Sequence, residues 1–180
     1  RKLASHGATV TAVDVSSKLI EIAKQKPYAD VIDYFVADLS KPLDGFVDNF
    51  NLVVSNMVIM DVYDYQGFVA TISSVLLKGG RAVLSMHNPY NSVRHERVAN
   101  YFDSGKTKVY EGFKQATGVS VTYHHRTLEE YIAAFRDRGF YLRSLSDLRP
   151  TEEMMADSNS QGEYIYNFPL IMVLEFEKVT

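Results

Sequence analysis

Hydrophobic positions along this chain switch between two periods in a regular alternation. Residues 9–13 set Val10, Ala12 and Val13 among β-forming neighbours and stop at Asp14, the pattern of a short buried strand. Ser16 and Ser17 supply helix-capping hydroxyls, and Leu19, Ile20 and Ala23 fall behind them at helical spacing, predicting a helix with one buried stripe. Residues 31–36 predict a second strand, ended by Asp38 and the Lys41-Pro42 turn, and residues 52–55 a third. Phe68, Val69, Ile72, Val75 and Leu76 then recur at helical spacing as far as Lys78-Gly79-Gly80, where that helix is expected to stop. Residues 81–86 read as a fourth strand. Ahead of all these, residues 1–6 read as the last turn of a helix capped by Gly7.

The alternation lapses over residues 87–125, which are rich in aromatic and polar side chains, and resumes with a capping box at Thr127-Leu128-Glu129-Glu130. Leu128, Tyr131, Ile132 and Phe135 give that helix its buried face, and Gly139 closes it. Residues 140–148 and 169–178 are two further strands without a helix between them, so they are expected to pair antiparallel. Strands alternating with helices predict an α/β fold with a doubly wound, mostly parallel sheet covered on both faces, here with an antiparallel C-terminal strand. Residues 1–180 read as a single domain, with 87–125 inserted in it as a cap.

Composition narrows the function without naming it. Hydrophobic residues make up 46% and charged residues 23%, the balance of a soluble globular domain. The longest apolar runs are strand-sized, so no membrane partner is expected. The absence of cysteine excludes thiolate catalysis and cysteine-ligated zinc. A net charge of −3 gives no general attraction for nucleic acid, so a small-molecule partner is expected. The cytoplasm is the default setting, and no feature encodes an oligomeric state.

In doubly wound folds ligands bind beyond the carboxyl ends of the strands. Asp14, Asp38 and Asn56 all fall at such ends. A carboxylate placed like Asp14 can accept both hydroxyls of a ribose. Asp38 can accept from the amine of an adenine while the Leu39 N–H donates to a ring nitrogen. Singly, each acid is as readily a turn or cap residue; together they point to an adenosine-containing ligand.

Those residues sit in stretches that resemble the class I S-adenosylmethionine-dependent methyltransferases. Val10-Thr-Ala-Val-Asp14, running on to Lys24, is similar to that family's second-strand motif, which makes Asp14 the ribose acid and Val15 the neighbour of the adenine. Tyr34-Phe-Val-Ala-Asp38-Leu39 resembles the third motif, which holds the adenine. Phe50-Asn-Leu-Val-Val-Ser-Asn56-Met57 resembles the fourth, whose backbone lies along the methionine part of the cofactor. Leu76-Leu-Lys-Gly-Gly80 is similar to the turn before the fifth strand, and Arg126-Thr-Leu-Glu-Glu-Tyr131 to the helix before the sixth. The resemblance implies S-adenosylmethionine as cofactor, a small-molecule methyl acceptor, and transfer to an oxygen, nitrogen or carbon nucleophile. The family's glycine-rich turn after its first strand has no counterpart in residues 1–13, which hold Gly7 alone. The first strand and that turn are therefore expected upstream of Arg1, the strand lying between those that end at Asp14 and Asn56.

His87 ends the fourth strand of the pattern, where it faces the expected acceptor, and its ordinary pKa suits a base that deprotonates a hydroxyl. Asn88, Tyr90 and Tyr123 are candidate substrate contacts, and Tyr101, Phe102, Tyr110 and Phe113 could line the same pocket or simply pack the cap. His124 and His125 alternate along an extended segment, so at most one of them can face a pocket. His87, His95, His124 and His125 have no metal-ligand spacing, and no metal is expected. Two rival readings stand beside the methyltransferase. One is an NAD(P)-dependent oxidoreductase, whose ribose Asp14 would equally suit and whose tyrosine-to-lysine spacing recurs at Tyr110 and Lys114. The other is a non-enzymatic protein of the same fold that binds adenosine compounds or a partner.

Overall fold

The computed structural model describes residues 1–94, 98–111, 120–149, 151–152 and 168–180. Strands β1 (Val10–Asp14) and β2 (Ile32–Val36) flank helix α1 (Ser17–Lys24) and pair in parallel, from Val10 opposite Ile32 to Asp14 opposite Val36. A second parallel unit follows, made of β3 (Phe50–Asn56), α2 (Tyr65–Val75) and β4 (Leu76–His87). Its ladder runs in register from Leu52 opposite Arg81 to Asn56 opposite Ser85. Then come α3 (Asn91–Arg94), the antiparallel hairpin of β5 (Thr107–Glu111) and β6 (Ser120–His124), α4 (Leu128–Arg136), β7 (Phe140–Asp147) and β8 (Ile171–Lys178). Strand β8 inserts between β4 and β7 and runs antiparallel to both, giving the order β3-β4-β8-β7; β1 and β2 form a separate two-stranded sheet.

Local chemistry starts α1, α2 and α4. The Ser16 hydroxyl accepts from the Leu19 N–H at 3.3 Å, and the Asp64 carboxylate from the Gly67 N–H at 2.9 Å. The expected capping box forms in full, with Thr127 Oγ1 accepting from the Glu130 N–H and the Glu130 carboxylate accepting from the Thr127 N–H. The segment ahead of β1 is a single 3-10 turn, Ala4–His6, that Gly7 ends at φ 86°.

Helix α2 ends at Val75, ahead of the Lys78-Gly79-Gly80 stop expected for it. Residues 76–80 open β4 instead, with Leu76 paired to Phe50 and an irregularity at Gly79, whose φ is 77°. The Lys178 ammonium donates to the carbonyls of Ser73 and Leu76, at 2.9 and 2.8 Å, and so satisfies the helix end from β8. Leu76 is fully buried in this strand, as it would be in a longer helix, so burial could not distinguish the two in sequence.

The core lies between the β4–β8 face and helices α2 and α4. Ala82, Leu84 and Met86 alternate inward from β4, and Met172, Leu174 and Phe176 from β8. Phe68, Val69 and Ile72 meet them from α2; Tyr131, Ala134 and Phe135 from α4. The Phe135 ring stacks on Phe176 with centroids 4.1 Å apart and takes Phe140 edge-on. Cover on both faces was expected throughout, and both sheets depart from it among the described residues. The face of β4 and β8 opposite α2 and α4 carries the partly exposed Arg81–Glu175 and Arg143–Glu177 ion pairs, and the β1–β2 sheet is covered less still. Ile20 and Ile32 are its buried hydrophobics, whereas Leu19 of the expected α1 stripe is 54% exposed and Val36 of β2 likewise 54%. No described element packs over Leu19, and a stripe is buried only where something faces it. Among the described residues no helix is long and apolar enough to cross a membrane.

Replacing Phe135 by alanine removes a fully buried ring from the centre of this layer and is expected to cost about 3–5 kcal/mol. Urea unfolding checks the figure; a loss below about 1 kcal/mol would mean the core can close over the cavity.

Candidate functional site

Parallel pairing brings the expected residues to one edge. Asp14 is the last residue of β1 and lies opposite Val36, and the Ala37 N–H donates to the Asp14 carbonyl at 3.1 Å, so Asp38 begins the turn directly beyond the neighbouring strand. Each acid stiffens its own turn. Asp14 Oδ1 accepts from the Ser16 N–H at 2.8 Å, and Asp38 Oδ1 from the Ser40 N–H at 2.9 Å. Hydrogen bonds from Ser40, aided by Lys41, hold the Asp38 carboxyl below the ordinary carboxylate range, so it stands as an exposed anion. Each backbone turn bond uses one oxygen of its carboxylate. Val15 is 71% exposed beside Asp14, and Leu39 packs against the core.

On the second unit, Asn56 ends β3 and its Oδ1 accepts from the Ser85 hydroxyl of β4. Met57 takes the left-handed conformation at φ 56°, uncommon for a side chain of its size. Its N–H is tied to Ser85, to the carbonyl at 2.9 Å and to the hydroxyl at 3.2 Å. Ser85 therefore fixes both expected residues, and the reading from sequence passed over it. Gly67 was passed over as well. It is the close approach of α2 to the turn after β2: a Cβ there would collide with the Ser40 carbonyl oxygen.

The expected acceptor residues have more varied settings. His87 ends β4 opposite Ile171, half-buried, with its ring 6.5 Å from that of Tyr123. Asn88 is buried and its side chain is engaged: Nδ2 donates to Asp147 and Oδ1 accepts from the Tyr90 N–H. Tyr90 is exposed and stacks on Tyr101 at 4.9 Å. Tyr123 is buried, its hydroxyl 2.7 Å from that of Ser92. His95, Phe113 and Lys114 lie outside the described residues, as does the side chain of Tyr110.

The two adjacent histidines part as strand alternation requires. The His125 ring bonds the Tyr101 carbonyl through Nε2 at 2.7 Å in the interior. His124 instead lines a cleft of about 700 Å³ together with Lys41, Tyr63, Gln66, Arg126 and Glu130. Neither Asp14 nor Asp38 lines it. The His124 ring is held by Thr107 Oγ1 on Nδ1 at 3.0 Å and by Tyr63 edge-on at 5.5 Å. Burial, and secondarily the Arg126 charge, push its pKa down.

The methyltransferase-domain family matches residues 1–84. A Listeria monocytogenes protein assigned as an S-adenosylmethionine-dependent methyltransferase superimposes with a TM-score of 0.83 at 20% identity, over 98% of this chain and 83% of that one. An S-adenosylmethionine-dependent methyltransferase from Mesorhizobium loti gives 0.74 at 22% identity, over 99% and 84%. The geranyl diphosphate C-methyltransferase of Streptomyces coelicolor A3(2), solved with S-adenosyl-L-homocysteine, gives 0.66 at 17%, over 99% and 65%. In sequence, the biotin biosynthesis bifunctional protein BioHC of Cellvibrio japonicus (strain Ueda107) is 24% identical over 152 residues, 80% of this chain, and the chain spans 30% of that protein's length. The chain thus has the Rossmann-like fold of the class I S-adenosylmethionine-dependent methyltransferases.

The lowered His124 pKa carries a consequence for stability. The unfolded chain takes up a proton at this residue near 6.5 and the folded protein only at lower pH, so acidification below about 6.5 favours unfolding. The melting temperature is expected to fall below that pH, and to fall less steeply in His124→Gln. Thermal unfolding over a pH series measures both slopes, and equal slopes would show that other groups set the acid limit.

Proposed function

We propose that this protein transfers the methyl group of S-adenosylmethionine to a small-molecule nucleophile. The observation that carries the reading is the parallel register of β1 and β2, which sets Asp14 and Asp38 at the tips of adjacent strands. The groups present suit an adenosine. Asp14 keeps an oxygen beyond its turn bond, Asp38 is an exposed anion, and among the described residues the Leu39 N–H next to Asp38 has no acceptor. In this reading Asp14 accepts from the ribose hydroxyls, Val15 lies beside the adenine, Asp38 and Leu39 hold its edge, and Asn56 and Met57 border the amino-acid part.

The bound cofactor would supply a methyl group already activated by its sulfonium. The chain's task is then to align the acceptor and exclude water, an effect worth up to roughly 7–11 kcal/mol where positioning is complete. For a hydroxyl acceptor His87 would take the proton, with Asn88, Tyr90 and Tyr123 around the acceptor and residues 87–125 forming the cap over it. We also infer that the free edge strand β3, where Leu52 and Val54 are 41% and 53% exposed, is an edge that a further strand can cover.

Titration calorimetry of the full-length protein with S-adenosylhomocysteine tests the assignment. Asp14→Ala removes a charged acceptor of two hydroxyls and is expected to weaken binding on the order of 100-fold. Unchanged affinity in Asp14→Ala would overturn the adenosine site.

A further inference from the structure

Arg126 precedes the capping box of α4 and is 5% exposed. Burying a guanidinium costs free energy unless its charge is met, and in protein interiors an acid is its usual partner. Here no described carboxylate forms an ion pair with it. Nη2 goes instead to one stretch of backbone, while Nη1 is buried without a hydrogen-bond partner among the described residues. Nη2 donates to the carbonyls of Val62 and Tyr63, at 2.8 and 2.6 Å, while the guanidinium lies 4.3 Å over the Tyr65 ring and beside the Tyr131 hydroxyl.

Those carbonyls close the loop that begins at Met57. Its first residue is pinned by Ser85 through the Met57 N–H; its middle, Ile59 and Met60, is buried in the core; its last residues hang on Arg126. Tyr63, 81% exposed, has His124 as a second tie on the hairpin side. Arg126 is thus the far anchor of a loop whose near end holds Met57 in a left-handed conformation. Packing alone does not call for a charged group at this place, since a long apolar side chain would cover Tyr65 without the desolvation cost. Two successive carbonyls fixed by one planar donor does call for it.

We propose that Arg126 is a positioning residue for the cofactor: it sets the 57–63 loop, and with it the Asn56–Met57 backbone, in the conformation that receives the amino-acid portion of S-adenosylmethionine. The inference rests on the methyltransferase reading of Asn56 and Met57. It separates Arg126 from Asp14 and Asp38 in what each controls, because the loop lies on the second parallel unit and those acids on the first.

Two ligands distinguish that role from general support of the fold. S-adenosylhomocysteine carries the amino-acid portion and 5′-methylthioadenosine lacks it. In the full-length protein, Arg126→Gln is expected to weaken S-adenosylhomocysteine about tenfold or more while changing methylthioadenosine less than about twofold. Arg126→Lys, which keeps a cationic donor, recovers part of the loss. Ser85→Ala releases the other end of the same loop and repeats the ligand-selective loss in a protein whose α4 is untouched. Equal losses for both ligands, or none for S-adenosylhomocysteine, in Arg126→Lys and Ser85→Ala would overturn the inference and leave the methyltransferase reading standing. Failure of the unaltered protein to bind S-adenosylhomocysteine would overturn both.

Discussion

The ladder between β3 and β4 carries this molecule's second half. Five successive residues of β3, Leu52 to Asn56, face Arg81 to Ser85 without a slip, and β8 occupies the other edge of β4 over the same length. With hydrogen bonds on both edges, β4 cannot shift its register without losing both ladders and turning Ala82, Leu84 and Met86 out of the core. Its end is therefore a fixed point. Ser85 stands there with its carbonyl and hydroxyl both turned to the Asn56–Met57 corner, and His87 and Asn88 leave from the same place. The candidate chemistry is assembled around a strand that has no freedom to move.

A second fixed point comes from polar groups that reach across the chain. Lys178 ties β8 to the end of α2, Arg126 ties the start of α4 to the loop before α2, and Asn88 ties the end of β4 to Asp147 of β7. Hydrogen bonds to charged groups contribute about 1.5–3 kcal/mol each, more than neutral ones. Their value here is also geometric. Arg126 and Asn88 fasten segments at the carboxyl edge of β4 to the packed core, and Lys178 does the same at its amino edge. Core rigidity thereby extends to segments that would otherwise be held by their own backbone alone.

The two sheets differ in how well they are enclosed. The β4–β8 face has helices across it and a continuous set of buried side chains. The β1–β2 pair, which holds both candidate adenosine acids, has α1 packed on it and leaves Leu19 and Val36 open. The half of the site expected to hold the adenosine is thus the less supported half within these 180 residues.

Much of this was legible in the chain itself. Period-two and helical spacings located the strands and helices, Ser16 and the Thr127–Glu130 box marked two helix starts, and Asp14, Asp38 and Asn56 came to strand ends because acids and amides follow apolar runs there. Such features depend on neighbours a few residues away, so they are written locally. The early end of α2 was not legible, since Leu76 is apolar and buried in either conformation and a lysine 102 residues later satisfies the helix end. Nor were the parts played by Ser85, Gly67 and Arg126. A serine inside a strand, a glycine inside a helix and an arginine ahead of a cap carry no periodic signal of their own. Only the fold decided them, by bringing a distant carbonyl or amide within reach of each.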